Sequence, residues 1–222
     1  MFVVWEYDDD ATNTDVYAYD VTNKNVFPVI VAPGLQRGCA IFNSLVAYVD
    51  GYIKTQEIWL YDLERREKSR ITNDNALQDD PSISGDRIVW MDTRDAEWFP
   101  SDTYANSNLY LHTISTGETV RLTDNPSDQE QPWIDGDLVV WTDLRHGGRD
   151  PTFWYDEAEI YLMDLRTRKE YRVTEMPGND FHPQISGTGV IWLHETVPGD
   201  RWSHDLYYMD VAHLLEEPPD GG

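Results

Sequence analysis

One phrase occurs three times at a fixed interval, and that interval constrains the fold more than any other feature of the chain. It reads PSISGDRIVWMDTR from Pro81, PWIDGDLVVWTDLR from Pro132 and PQISGTGVIWLHE from Pro183. Trp90, Trp141 and Trp192 are evenly spaced, as 141−90 and 192−141 are the same interval. Self-similarity at a fixed period means stacked copies of one small unit, each too small to bury its apolar face alone.

Two further phrases recur between the tryptophans. One ends in an acidic turn, as in Ile58-Trp59-Leu60-Tyr61-Asp62 and Ile160-Tyr161-Leu162-Met163-Asp164. The other closes on threonine at Thr72, Thr123 and Thr174, again at the interval that separates the tryptophans. Short apolar and aromatic runs bounded by Gly, Pro, Asn and Asp are strands, and a helical period is absent until the stretch 211–217. Each repeat thus holds four strands: a short strand a after proline, the tryptophan strand b, the tyrosine strand c and the threonine strand d. Four antiparallel strands per repeat of this length are a propeller blade. The expected fold is an all-β propeller in one domain, 1–215, with a short tail, 216–222. Counting strands gives three whole blades beginning near Gly38, Pro81 and Pro132, a first blade without a and a last one without d. Five blades is the expected count, with a fragment of a larger propeller as the alternative.

The phrases P-x-I-S-G-D-x-I-V-W-x-D-x-R, I-Y-L-x-D-L and T-G-E-x-x-R-L-T resemble the TolB-like β-propeller repeat, over nearly the whole chain from Phe2 to Asp210. Similar repeats occur in surface proteins and in the propellers of prolyl-oligopeptidase-type enzymes. The resemblance implies the fold and a periplasmic, extracellular or cell-surface setting. It does not carry a partner or an activity, because neither the α/β domain of TolB nor a hydrolase domain is in the sequence. A manganese-dependent oligogalacturonate lyase has a related propeller, but its histidine-rich site has no counterpart here.

Charge narrows the partners. Forty-one acidic against 17 basic residues give a net charge of −24, which repels phosphate backbones, so nucleic acid is not an expected partner. The same field attracts cations and basic protein patches. No apolar run approaches the length that suggests a membrane helix, and Met1 to Glu6 lacks the basic start and apolar stretch of a signal peptide. Cys39 is alone, so no internal disulfide is available.

Alternation of strand direction puts the b–c and d–a connections on one face. That face collects long loops carrying Trp98, Phe99, Trp154, Tyr155 and Trp202 among carboxylates, and aromatic side chains there can stack on sugar rings or anchor a protein. The competing reading has them folding back over the blades. A second constellation precedes the blade prolines: Asp80, Gln131 and His182, with Arg37 at the matching place before Gly38. Such residues, converging at a channel mouth, can hold a small polar ligand, a water cluster or a hard cation such as calcium or manganese. Asp92/Arg94 and Asp143/Arg145 follow their tryptophans at i+2 and i+4, and recurrence in successive blades makes them structural ion pairs. No G-x-S-x-G elbow, H-E-x-x-H, phosphate loop or C-x-x-C is present. The reading is therefore a non-enzymatic module that binds a protein or a glycan without a cofactor. The alternatives are a polysaccharide-active lyase or hydrolase and a structural segment of a larger surface protein. Oligomeric state is not encoded in any of these features.

Overall fold

The computed structural model of the protein describes residues 1–10, 13–52, 56–74, 76–98, 104–147, 157–195 and 203–216, in two compact units, Met1–Pro126 and Ser127–Gly222. Among the described residues helix is confined to one turn, α1 (Ala212–Leu215), inside the stretch where helical period was expected.

The first unit holds three blades. β1 (Phe2–Asp10), β2 (Asn13–Asp20) and β3 (Asn25–Ile30) form the first, which has b, c and d but no a. The second blade is β4 (Leu35–Phe42), β5 (Leu45–Gly51), β6 (Glu57–Asp62) and β7 (Glu67–Arg70), joined to the first by one parallel bridge between Thr14 and Leu35. The third blade begins with β8 (Gln78–Ser84) and β9 (Arg87–Asp92). Its b–c connection carries a short ladder, β10 (Glu97–Trp98) on β11 (Tyr104–Ala105), before β12 (Asn108–Thr113) and β13 (Glu118–Arg121) complete it.

The second unit holds the fourth blade, β14 (Gln129–Asp135), β15 (Leu138–Asp143), β16 (Glu159–Asp164) and β17 (Lys169–Arg172). The fifth has only β18 (Asn179–Ser186), β19 (Gly189–Glu195) and β20 (His204–Asp210) among the described residues. The four-strand blades and their two incomplete companions are those expected from the repeated phrases.

Period-2 alternation turns one face of each strand toward the neighbouring blade. Ala47, Val49, Ile58 and Leu60 of the second blade pack on Ile83, Ile88 and Trp90 of the third. Leu138, Val140, Ile160 and Leu162 of the fourth pack on Ile185, Val190 and Trp192 of the fifth. Trp90 and Trp141 have no exposed surface. Each contributes on the order of 150–250 Å² of burial, which makes them the largest single contributors to their layers.

Three backbone positions adopt left-handed φ in each of the second, third and fourth blades, with a further one at Asn106 and Glu157 in the third and fourth, and they fix the unit more sharply than the side chains do. The a–b turns use Asn43, Gly85, Gly136 and Gly187, and the c–d turns use Lys24, Arg66, Gly117 and Arg168. The step from each c–d turn to the next a–b turn never varies, running 24 to 43, 66 to 85, 117 to 136 and 168 to 187. The step from a–b turn to c–d turn does vary. It runs 43 to 66 in the second blade but 85 to 117 and 136 to 168 in the third and fourth, which are longer by the same amount. The paired lengths of b and c are nearly unchanged, so the extra chain sits in those two b–c connections.

Candidate functional site

The third left-handed position falls inside strand a. Gly38, Asp80, Gln131 and His182 have φ of 58, 50, 53 and 53°, each at a bulge in the a–b ladder. A bulge puts two residues opposite one and re-aims the chain, and a non-glycine residue there carries strain of about 1–3 kcal/mol. Three of the four predicted rim residues therefore share one backbone role. Arg37 does not: the equivalent position is Gly38, and Arg37 stands one place earlier, matching Asp79 in the pattern. The bulge inserts a residue that strand alternation alone does not reveal.

Within the first unit Arg37 meets Asp79, Nη2 to Oδ2 at 2.6 Å, and Asp79 also accepts the Asp80 amide at 3.0 Å. Burial raises the Asp79 carboxyl and Arg37 pulls it back. Within the second unit the Gln131 side chain bridges two bulges. Its Oε1 accepts the His182 amide at 2.9 Å and the Thr142 hydroxyl at 2.8 Å, while its Nε2 lies 3.4 Å from His182 Nε2. The His182 imidazole sits below its ordinary value, first through desolvation and then through the nearby His204. Within the first unit Arg37 thus stands beside Asp79–Asp80, and within the second Gln131 stands with His182. Among the described residues no three His, Cys, Asp or Glu side chains gather as a metal site.

The loop face is built from its roots. Trp90 Nε1 donates to Asp92 Oδ2 at 2.9 Å, and Arg94 Nη2 closes on the same oxygen at 2.6 Å. Trp141, Asp143 and Arg145 repeat this at 2.8 and 2.7 Å. Asp92 and Asp143 have no exposed surface, so an indole N–H and a guanidinium satisfy carboxylates that burial would otherwise penalise. Arg94 lies 4.3 Å over the Tyr110 ring and Arg145 4.0 Å over Tyr161. The next residue on each loop is tied to the same tyrosine: Tyr110 donates to Asp95 at 2.5 Å, and His146 Nε2 lies 2.7 Å from the Tyr161 hydroxyl. Both long connections therefore leave rigid, charge-neutralised roots. Trp98 lies in β10; its side chain, and Phe99, Trp154, Tyr155 and Trp202 entirely, fall outside the described residues.

The fifth blade breaks the pattern in a way that sequence reading misses. Ladder registers pair Gln36 with Asp50, Gln78 with Asp92 and Gln129 with Asp143, but Asp180 with His194. Trp192 Nε1 donates across the ladder to Asp180 Oδ1 at 2.8 Å, and His194 Nδ1 lies 2.8 Å from the same oxygen. The carboxylate has moved from strand b to strand a, and an imidazole replaces the arginine. A signal exists: the phrase from Pro183 has no Asp after its tryptophan, yet the indole N–H still needs an acceptor. His204 packs edge-on against Phe181, with ring centroids 5.0 Å apart, and so takes a place away from the Asp180–His194 pair.

Compared with solved structures, the chain superposes on TolB from Acinetobacter baumannii with a TM-score of 0.70 at 18% identity, over 95% of this chain and 50% of that one. It superposes on the β-propeller domain of the Trilobed protease from Pyrococcus furiosus, described as having an open velcro topology, with a TM-score of 0.64 at 13% identity, over 94% of this chain and 63% of that one. The fold is a β-propeller. An oligogalacturonate lyase in complex with manganese shares this propeller, with a TM-score of 0.65 at 13% identity over 97% of this chain and 60% of that one. The propeller thus spans half the length of the Acinetobacter TolB chain. Identities this low establish the fold alone. No family model and no curated protein matches the sequence.

Proposed function

We propose that this propeller is a non-enzymatic binding module that takes a protein or a glycan on the face formed by its long b–c loops. One observation carries the reading. The repeat holds its c–d to a–b spacing constant throughout, yet lengthens the b–c connection of two successive blades by the same amount. Insertions confined to one connection of a repeat collect on one face, where a rigid scaffold can present them to a partner. Trp98, Phe99, Trp154 and Tyr155 lie in those two connections, and Trp202 lies in the corresponding connection of the fifth blade. Together they supply the aromatic surface such a face uses. A net charge of −24 favours a partner with basic patches or a neutral glycan over an anionic one. An extracytoplasmic setting belongs to this reading.

The test is a glycan array and a pull-down with the unaltered protein and with Trp98, Trp154 and Trp202 changed to Ala. Binding that disappears in the triple variant while its melting temperature holds supports the loop face. Binding unaffected by the variant removes these residues from the site. Turnover of a polysaccharide that is abolished by His182→Ala or Asp80→Ala would replace the binding module with a lyase or hydrolase.

A further inference from the structure

The fifth blade, as far as its described residues go, presents an open edge. Among the described residues no strand pairs with the far side of β20. In the second, third and fourth blades that side is taken by strand d, whose last residues lead into Arg70-Ile71-Thr72, Arg121-Leu122-Thr123 and Arg172-Val173-Thr174. Each residue of this triplet has a fixed task. The arginine reaches the first residue of strand c: Arg70 to Glu57 at 2.6 Å, Arg121 to Asn108 at 2.8 Å, and Arg172 to Glu159. The apolar residue donates its amide to the carbonyl of the second residue of c: Ile71 to Ile58, Leu122 to Leu109 and Val173 to Ile160, each at 2.8 Å. The threonine hydroxyl then accepts the amide of that same second residue, at 2.9, 2.9 and 3.0 Å.

The fifth blade keeps the receiving half of this arrangement. Trp192 stands opposite Tyr207 as Trp141 stands opposite Tyr161, so Asp205 occupies the place of Glu159, Leu206 that of Ile160 and Tyr208 that of Leu162. Asp205 is exposed, and among the described residues no arginine is recorded against it. Leu206 and Tyr208, whose side chains stand on the sheet face and not at its edge, are 69% and 66% exposed, where the fifth blade covers the equivalent Ile160 and Leu162. After Asp210 the described residues, which end at 216, do not return along β20. The Val211 amide bonds Thr188 O at 2.9 Å, and α1 carries Leu214 and Leu215 against the blade core instead.

We propose that the outer edge of β20 is a strand-addition site for an extended Arg-Φ-Thr segment of a partner protein, with Φ an apolar residue. The partner's arginine pairs with Asp205, its apolar residue donates to Leu206 O, and its threonine receives the Leu206 amide. Main-chain bonds to an open edge supply affinity and the side chains supply register. Charge favours this occupant, since a basic strand approaches a chain of net charge −24 and meets a carboxylate at the docking point. The site lies at the end of β20 that follows the fifth b–c connection, but it rests on the strand edge and not on the loop aromatics, so its test stands or falls independently of the proposed function.

The test uses the whole protein and a labelled synthetic peptide copying residues 169–174, whose sequence is KEYRVT. Saturable binding is expected, with hydrogen-exchange protection gained at Leu206 and Tyr208. Changing the peptide arginine to Ala should weaken binding about tenfold, equivalent to roughly 1.4 kcal/mol. In Asp205→Lys, an exposed change that leaves the melting temperature in place, the arginine peptide should no longer bind and a peptide with Glu in its place should. Equal binding of a scrambled peptide, protection outside β20, or no binding at millimolar peptide overturns the site. The peptide-side substitutions keep the proposal testable even if the Asp205 variant folds poorly.

Discussion

Replacing Trp141 should separate what packing contributes from what its one hydrogen bond contributes. The side chain has no exposed surface, its ring sits 6.0 Å from that of Tyr161, and its N–H meets a carboxylate that is itself fully covered. Trp141→Ala removes all three features and should cost about 3–5 kcal/mol, the usual range for truncating a large aromatic in a core. Trp141→Phe keeps most of the apolar volume and removes the donor. A hydrogen bond to a charged group is worth roughly 1.5–3 kcal/mol, and Asp143 keeps its bonds from Arg145, so the lower end applies. Trp133, 36% exposed on the same blade, should cost clearly less than Trp141 when made Ala, because part of its surface already meets water. Urea denaturation at constant m reads all three from the midpoints. A Trp141→Ala cost near that of Trp133→Ala would refute the assignment of Trp141 to the blade core. A Trp141→Phe cost equal to that of Trp141→Ala would refute the division between packing and bonding.

The left-handed c–d turns yield a second prediction. Lys24 and Arg66 hold φ of 53 and 57° where the third blade has Gly117, so Lys24→Gly and Arg66→Gly should each raise stability by roughly 0.5–1 kcal/mol, seen as a higher melting temperature. His112 is held below its ordinary value by burial, opposed by Asp86. The fold favours the neutral ring, so this contribution is complete above the unfolded value of about 6.5 and is lost as pH falls through the lowered folded value. His112→Met, borrowing the equivalent Met163, should flatten stability against pH on that acid side, and an unchanged profile would discount His112. The Cys39 thiol is pushed up to about 12 by burial and then by Glu6, so it should stay unmodified by a disulfide reagent at mildly alkaline pH until the protein unfolds.

Much of the architecture is legible because the repeat states it several times over. Strands b and c, the tight turns and the Trp–Asp–Arg brackets all follow from apolar period, glycine position and i+2 spacing. The register of strand a is not legible to the residue, since a bulge adds one position without disturbing composition. For that reason the bare pattern sets Arg37 level with Asp80, although Gly38 holds that place. The exchange between Asp180 and His194 escapes for a different reason. It lies across a ladder rather than along a strand, and pairing partners are set by a register that only the folded sheet supplies. The loop aromatics are legible as insertions in a rigid repeat, whereas their packing depends on segments whose conformation no periodicity dictates.

The Asp180–His194 pair also restricts how one blade can be converted into another. Changing His194 to Asp alone would put two covered carboxylates face to face at a single ladder position, with the nearby imidazole gone. Changing Asp180 to Gln alone leaves the imidazole without its carboxylate and Trp192 with a neutral acceptor at best. Only the double exchange restores the arrangement of the third and fourth blades, and it still lacks their arginine. Blades that look interchangeable as repeats are therefore separated by a valley two substitutions wide. A shuffled or consensus version of this propeller should carry the fifth-blade pair over as one indivisible unit.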